Sequence, residues 1–121
     1  MNPVNWFEIA VSDLERAKNF YTKVFGSQFQ PIEMPGMKMY MFEGGPENPG
    51  AAGSLIQQEQ AKPSAEGTTI YFWCQDLANE LSRIEGAGGQ VIMPKTSIGE
   101  FGFIGMFLDT EGNRIGLHSM K

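Results

Sequence analysis

The chain predicts an α+β fold: two similar βαβββ modules forming a curved mixed sheet around a cleft. Three observations predict it. Trp6–Leu14 and Thr69–Leu77 are copies of one pattern, an apolar strand ending in an Asp-Leu pair, and in each copy a glycine follows the Asp by 13 residues. The copies are offset by 63 positions (Asp13 and Asp76), about half of 121. Finally, 41% of residues are apolar and 19% charged, ordinary for one globular core. The expected organisation is one domain over 1–121, with module one at about 1–58, a linker at about 59–67 and module two at about 68–121.

In the first strand Phe7, Ile9 and Val11 share one face, and Trp6, Glu8 and Ala10 share the other. The wholly apolar face should meet the following helix. Ser12-Asp13-Leu14-Glu15 has the Ser-x-x-Glu form of a capping box. Leu14, Ala17, Tyr21 and Val24/Phe25 recur at helical spacing, and Gly26 suits a C-terminal cap. The helix is expected over about 13–25. Met37–Phe42 and Ala52–Gln58 are strand candidates, separated by a loop containing Gly44, Gly45 and Gly50. Glu59–Gly67, with Pro63 and few apolar residues, reads as the linker.

Module two opens with Thr69–Cys74, too apolar on both faces for alternation to choose a side. Asp76 is a good N-cap. Leu77, Leu81 and Ile84 form the helical stripe, and Gly86–Gly89 ends it. Gln90–Met93 reads as a short strand stopped by Pro94, and Thr96–Gly102 as a loop. Phe103–Leu108 and Arg114–Ser119 flank a five-residue hairpin turn, Asp109–Asn113. The glycines at 44–45 and 86–89 lack the pattern of a phosphate-binding loop.

The net charge of −5 and the absence of a basic tract argue against nucleic-acid partners and anionic membrane surfaces. The lone Cys74 excludes an internal disulfide, and no apolar window reaches the length of a membrane span. The expected location is the cytoplasm.

This order and these residues resemble the vicinal oxygen chelate superfamily, which includes glyoxalase I, extradiol dioxygenases and the bleomycin- and fosfomycin-resistance proteins. The resemblance rests chiefly on Val11–Tyr21 with Val24-Phe25-Gly26, and on Asp109-Thr110-Glu111-Gly112-Asn113-Arg114-Ile115. It implies a glyoxalase-like fold and a homodimer, with a site either within one chain or shared between two. In metal-dependent members, His, Gln or Glu side chains from four strands converge on one cation. Carried over, those positions fall at Trp6, near Ser54, at Ile70 and at Gly116. An indole, an aliphatic chain and a bare hydrogen do not ligate a divalent ion, and the chain holds one histidine. No metal and no cofactor are expected.

The same alternation places Glu8 beside Trp6, Phe72 and Cys74 beside Ile70, Arg114 and His118 beside Gly116, and Ile56 beside Ser54. Glu8 and His118 are the catalytic candidates, as proton-transfer groups or as a pair. Each has a bland reading too, a solvated carboxylate and a histidine satisfied by water or backbone. Trp6 and Phe72 stack on a flat ligand or fill vacated space. Ser54, Ile56, Cys74 and Arg114 complete the expected lining. Cys74 is a nucleophile only if a nearby cation or helix terminus lowers its pKa, and is otherwise a small buried hydrophobe. Met34, Met37, Met39 and Met41 line an adaptable surface or an interface.

The expected function is metal-independent binding of a small, partly apolar organic molecule in the cleft between the modules. One alternative is a glyoxalase-like lyase or isomerase using Glu8 and His118. Another is a dimeric interaction subunit whose cleft is filled.

Overall fold

The computed structural model describes residues 2–121. Module one consists of β1 (Trp6–Ala10), α1 (Leu14–Phe25), β2 (Phe29–Met34), β3 (Met37–Phe42) and β4 (Ala52–Gln57). Module two repeats the order with β5 (Tyr71–Trp73), α2 (Leu77–Ile84), β6 (Gln90–Ser97), β7 (Phe103–Leu108) and β8 (Arg114–Ser119). Each module makes its own four-stranded sheet, β1-β4-β3-β2 and β5-β8-β7-β6. The first and last strands of each module run parallel and the remaining pairs antiparallel, so both sheets are mixed. The expected α+β class and paired modules are what the chain adopts.

Two strands depart from expectation, and a proline explains each. β2, which contains Pro31, has no counterpart among the expected strands, and β6, expected to stop at Pro94, runs on to Ser97. Both are edge strands, where a missing N–H costs no ladder bond. The β6–β7 register shifts on both sides of Met93, as at a bulge.

The helix ends follow local chemistry, with one correction. The N-cap of α1 is Asp13, whose carboxylate accepts from Arg16 N at 3.0 Å, not Ser12. The backbone N–H groups of Ser12 and Asp13 both donate to Glu111 Oε1 at 2.9 Å, from the β7–β8 turn. Glu111 also pairs with Arg16 at 2.8 Å, its own side chain wholly buried. Burial alone would raise the Glu111 pKa, but Arg16, the two N–H groups and the Thr110 hydroxyl outweigh it and hold the carboxyl down to about 2. Gly26 closes α1 in the left-handed region, at φ 70°. Asp76 caps α2 as expected.

The inner faces of both sheets and both helices share one core. It includes Ile9, Val11 and Leu55 from module one's sheet, Phe20, Tyr21 and Val24 from α1, and Cys74, Leu77, Phe107 and Leu117 from module two. α1 packs on β3, β4 and α2, and two of its side chains reach the second module's sheet. Phe20 stands 5.7 Å from the Phe107 ring, and the Tyr21 hydroxyl donates to Asp109 at 2.7 Å. The helical layer therefore lies between the sheets, and their outer faces look away from each other. Among the described residues no helix is long and apolar enough to cross a membrane.

Candidate functional site

The duplicated pattern is visible in the backbone. At the end of β1, Val11 N donates to Ile56 O at 2.9 Å, and at the end of β5, Cys74 N donates to His118 O at 2.7 Å. Pairing Glu8 with Ser54 in one sheet matches Tyr71 with Gly116 in the other. Ser54 is thus equivalent to Gly116, Ile56 to His118, Ala10 to Trp73 and Trp6 to Thr69.

Module one's outward face carries Trp6, Glu8 and Ala10 from β1, Ala52, Ser54 and Ile56 from β4, and Met37, Met39 and Met41 from β3. Ala52, Ile56 and Met39 are buried yet stand outside the shared core. Ser54 is buried among them, its hydroxyl without a hydrogen-bond partner. Such a group is costly to bury unpaired, so a ligand donor or acceptor has a ready counterpart there. Glu8 is exposed and accepts from Trp6 Nε1 at 3.3 Å.

Module two's outward face carries Tyr71 and Trp73 from β5, Gly116 and His118 from β8, and Ile104 from β7. The Tyr71 ring lies over Gly116, where any Cβ would collide with it. Trp73 is 72% exposed and Tyr71 48%. With Ile98, Ile104 and His118 they line a hollow of about 400 Å³. The Phe101 carbonyl lies 2.7 Å from His118 Nε2, and since a carbonyl only accepts, that nitrogen bears the hydrogen. Arg114 donates to Thr69 Oγ1 at 2.8 Å, and its Nε is buried without a partner.

Trp6, Glu8, Ser54 and Ile56 therefore share one outward face, and Arg114 and His118 lie on the other. Phe72 and Cys74 do not join them. Phe72 packs inward against Phe25 at 4.6 Å and Phe42 at 5.8 Å, and Cys74 is in the core. Phe72 forms no wall with Trp6 and fills no cleft with it. Burial, then the neighbouring Glu80 carboxylate, push the Cys74 thiol up to about 12, the behaviour of an inert buried hydrophobe. Nor do Glu8 and His118 meet within one chain, because the core separates their faces. Tyr71 and Trp73 were missed, although the 63-residue offset already maps Glu8 onto Tyr71 and Ala10 onto Trp73.

Ile70 is packed against the core, so the position equivalent to Trp6 is Thr69. The four family ligand positions become Trp6, Ser54, Thr69 and Gly116. They offer an indole, two hydroxyls and no side chain, which does not fit a divalent cation. Among the described residues no three His, Cys, Asp or Glu side chains gather to hold an ion.

Comparison with known proteins agrees with this fold. The profile of the Glyoxalase/Bleomycin resistance protein/Dioxygenase superfamily matches residues 4–117. The chain is 31% identical to a glyoxylase-like domain-containing protein of Didymella fabae, covering 91% of this chain and 88% of that one. It is 28% identical to CFP32 of Mycobacterium tuberculosis over 93% of its own length but spans only 44% of CFP32. Among solved structures, TnmS3, an antibiotic binding protein from Streptomyces sp. CB03234, superposes with a TM-score of 0.69 at 24% identity, over 98% of this chain and 96% of that one.

Proposed function

The chain belongs to the Glyoxalase/Bleomycin resistance protein/Dioxygenase superfamily, and from that premise we propose that it is a metal-independent binding protein for a small, partly apolar organic molecule. The molecule lies between module one's outward face in one copy and module two's outward face in a second, in a cytoplasmic homodimer. The observation that supports this most is Trp73, which stands 72% exposed beside Tyr71 on a sheet face. Aromatic rings left in water on a concave surface favour a flat apolar partner. The opposing face supplies a buried apolar floor with Ser54 and Glu8 as its polar points. The fold is also that of an antibiotic binding protein, so sequestration is one use that such a fold serves.

The test is a thermal-shift screen of small metabolites and divalent ions, with Trp6→Ala and Trp73→Ala as controls. A ligand that binds only the folded state raises Tm by mass action. The expected result is a shift by aromatic or amphipathic molecules that both variants reduce, no shift by zinc, nickel or manganese, and a dimer by sedimentation. Chelator-reversible stabilisation by a metal ion overturns metal independence. Chelator-insensitive turnover that Glu8→Gln abolishes replaces binding with catalysis.

A further inference from the structure

A crevice of about 700 Å³ opens between the two modules on the inner side of both sheets. Its rim touches the outward faces at Ala52, Tyr71 and Trp73, but its phenylalanine wall and Glu80 have no part in the proposed function. Its apolar wall is four half-buried rings, Phe7, Phe25, Phe42 and Phe72. Phe72 is central, with the other three centroids at 6.2, 4.6 and 5.8 Å. Its polar end is Glu80 on α2, one of whose carboxylate oxygens is buried without a hydrogen-bond partner. The Cys74 thiol lies beside that carboxylate, yet as a donor it is weak and is otherwise directed at the Phe72 carbonyl, 3.7 Å away. Arg83, further along α2, donates Nη1 to the Val24 carbonyl at 2.7 Å and leaves that oxygen unpaired. The charged residues lining the crevice are Glu43 and Glu80, and no Lys, Arg or His lines it.

We propose that this crevice is a second binding site, for a small aromatic or apolar molecule carrying a protonated amine. The ammonium donates to the orphaned Glu80 oxygen, and the apolar body packs on the phenylalanine rings. Three features select that class. A buried carboxylate oxygen without a donor favours an N–H ligand over one that can only accept. The aromatic rings of the same crevice attract a cation through their faces. A lining with acidic side chains and no basic ones rejects anions.

The test uses the intact chain and three matched probes, 2-phenylethylammonium, 2-phenylethanol and 3-phenylpropionate, followed by calorimetry and amide NMR shifts. The expected result is that the ammonium binds at least about ten-fold more tightly than the other two, with shifts centred on Cys74, Gln75 and Glu80. Glu80→Gln weakens it by a similar factor, while Glu33→Gln, an exposed carboxylate elsewhere, does not. Ala51→Trp, on the exposed rim, blocks entry without touching the core. Equal binding of the three probes, shifts outside the crevice, or an undiminished affinity in folded Glu80→Gln overturns the proposal. Should Glu80→Gln not fold, undiminished binding to Ala51→Trp overturns it alone.

Discussion

In module one the outward face is an apolar floor, where Ala52, Ser54, Ile56 and Met39 are buried without joining the central core. In module two the matching face carries Tyr71 and Trp73, half to three-quarters exposed, over a glycine. On the inner side the modules correspond residue by residue, Val11 with Cys74, Ile9 with Phe72, Leu55 with Leu117. The inner positions must fill one space at crystal-like density, which limits their size and polarity. The outer positions lie outside that shared core, so the two faces are free to become complementary rather than alike. A floor on one and projecting rings on the other is the form that two halves of one site take.

The largest expected effect sets inner against outer at adjacent residues. Phe72→Ala removes a half-buried ring packed among Phe7, Phe25 and Phe42 and should destabilise by about 2–3 kcal/mol, the low end because one side borders the crevice. Trp73→Ala should change stability by less than about 0.5 kcal/mol. Denaturant unfolding of both variants checks this, and comparable losses would mean that β5 is turned the other way.

Two glycines sharpen the same contrast. A Cβ at Gly53 would enter the Phe7 ring on the core side, and one at Gly116 would enter the Tyr71 ring on the outer side. Phe7 is held among other rings, so Gly53→Ala should cost about 1–3 kcal/mol by overpacking. Tyr71 has open space to swing into, and Gly116→Ala should cost less than about 1 kcal/mol. The reverse order, read from thermal melts, would contradict the assignment of faces.

How far the sequence reached follows the same division. Both helices, the Asp109–Asn113 turn and six of the eight strands announce themselves by local signals: cap residues, helical spacing, turn glycines. β2 and the second half of β6 were hidden by Pro31 and Pro94, since whether a strand lies at a sheet edge is decided by tertiary pairing. Ser12 looked like a cap until Glu111, 99 residues away, took its N–H. β5 is apolar on both sides, so alternation alone left its face open, and placing Phe72 and Cys74 in the site was the consequence. For the site, Trp6, Glu8, Ser54 and Ile56 were legible as one face because β1 and β4 pair in register. The separation of Glu8 from His118 was not, because it depends on how the modules pack through their helices.

Two carboxyls in the β7–β8 turn extend the comparison to pH. Glu111 ties α1 of module one to module two, and its folded pKa of about 2 lies below its ordinary 4.5. Its stabilisation is therefore complete above about pH 4.5 and is lost as pH falls towards 2. With Arg16 half exposed, the loss should be on the order of 1–2 kcal/mol. Asp109 is shifted the other way, raised by burial against the hydrogen bonds from Tyr21 and Asn113. The folded state holds its proton more firmly than the unfolded chain does, so acidification favours folding at this residue. Glu111→Gln should flatten the acid limb of the stability–pH curve and Asp109→Asn steepen it. Equal slopes in both variants would show that the turn does not couple the modules electrostatically.

The smallest effect is expected where the repeat is most faithful. Cys74 occupies the place of Val11: both are buried, and both donate their N–H to the equivalent carbonyl of the last strand. A thiol with its pKa pushed up to about 12 by burial and the neighbouring Glu80 carboxylate behaves as an apolar side chain at neutral pH. Cys74→Val exchanges groups of similar size, and stability should move by less than about 1 kcal/mol. In the native protein, iodoacetamide should leave Cys74 unmodified at pH 7.5 and label it only as the chain unfolds, giving a labelling rate that falls with added ligand. Rapid labelling of the folded chain would place the thiol in a polar, accessible setting and break the equivalence with Val11 at the residue where the two modules match most closely.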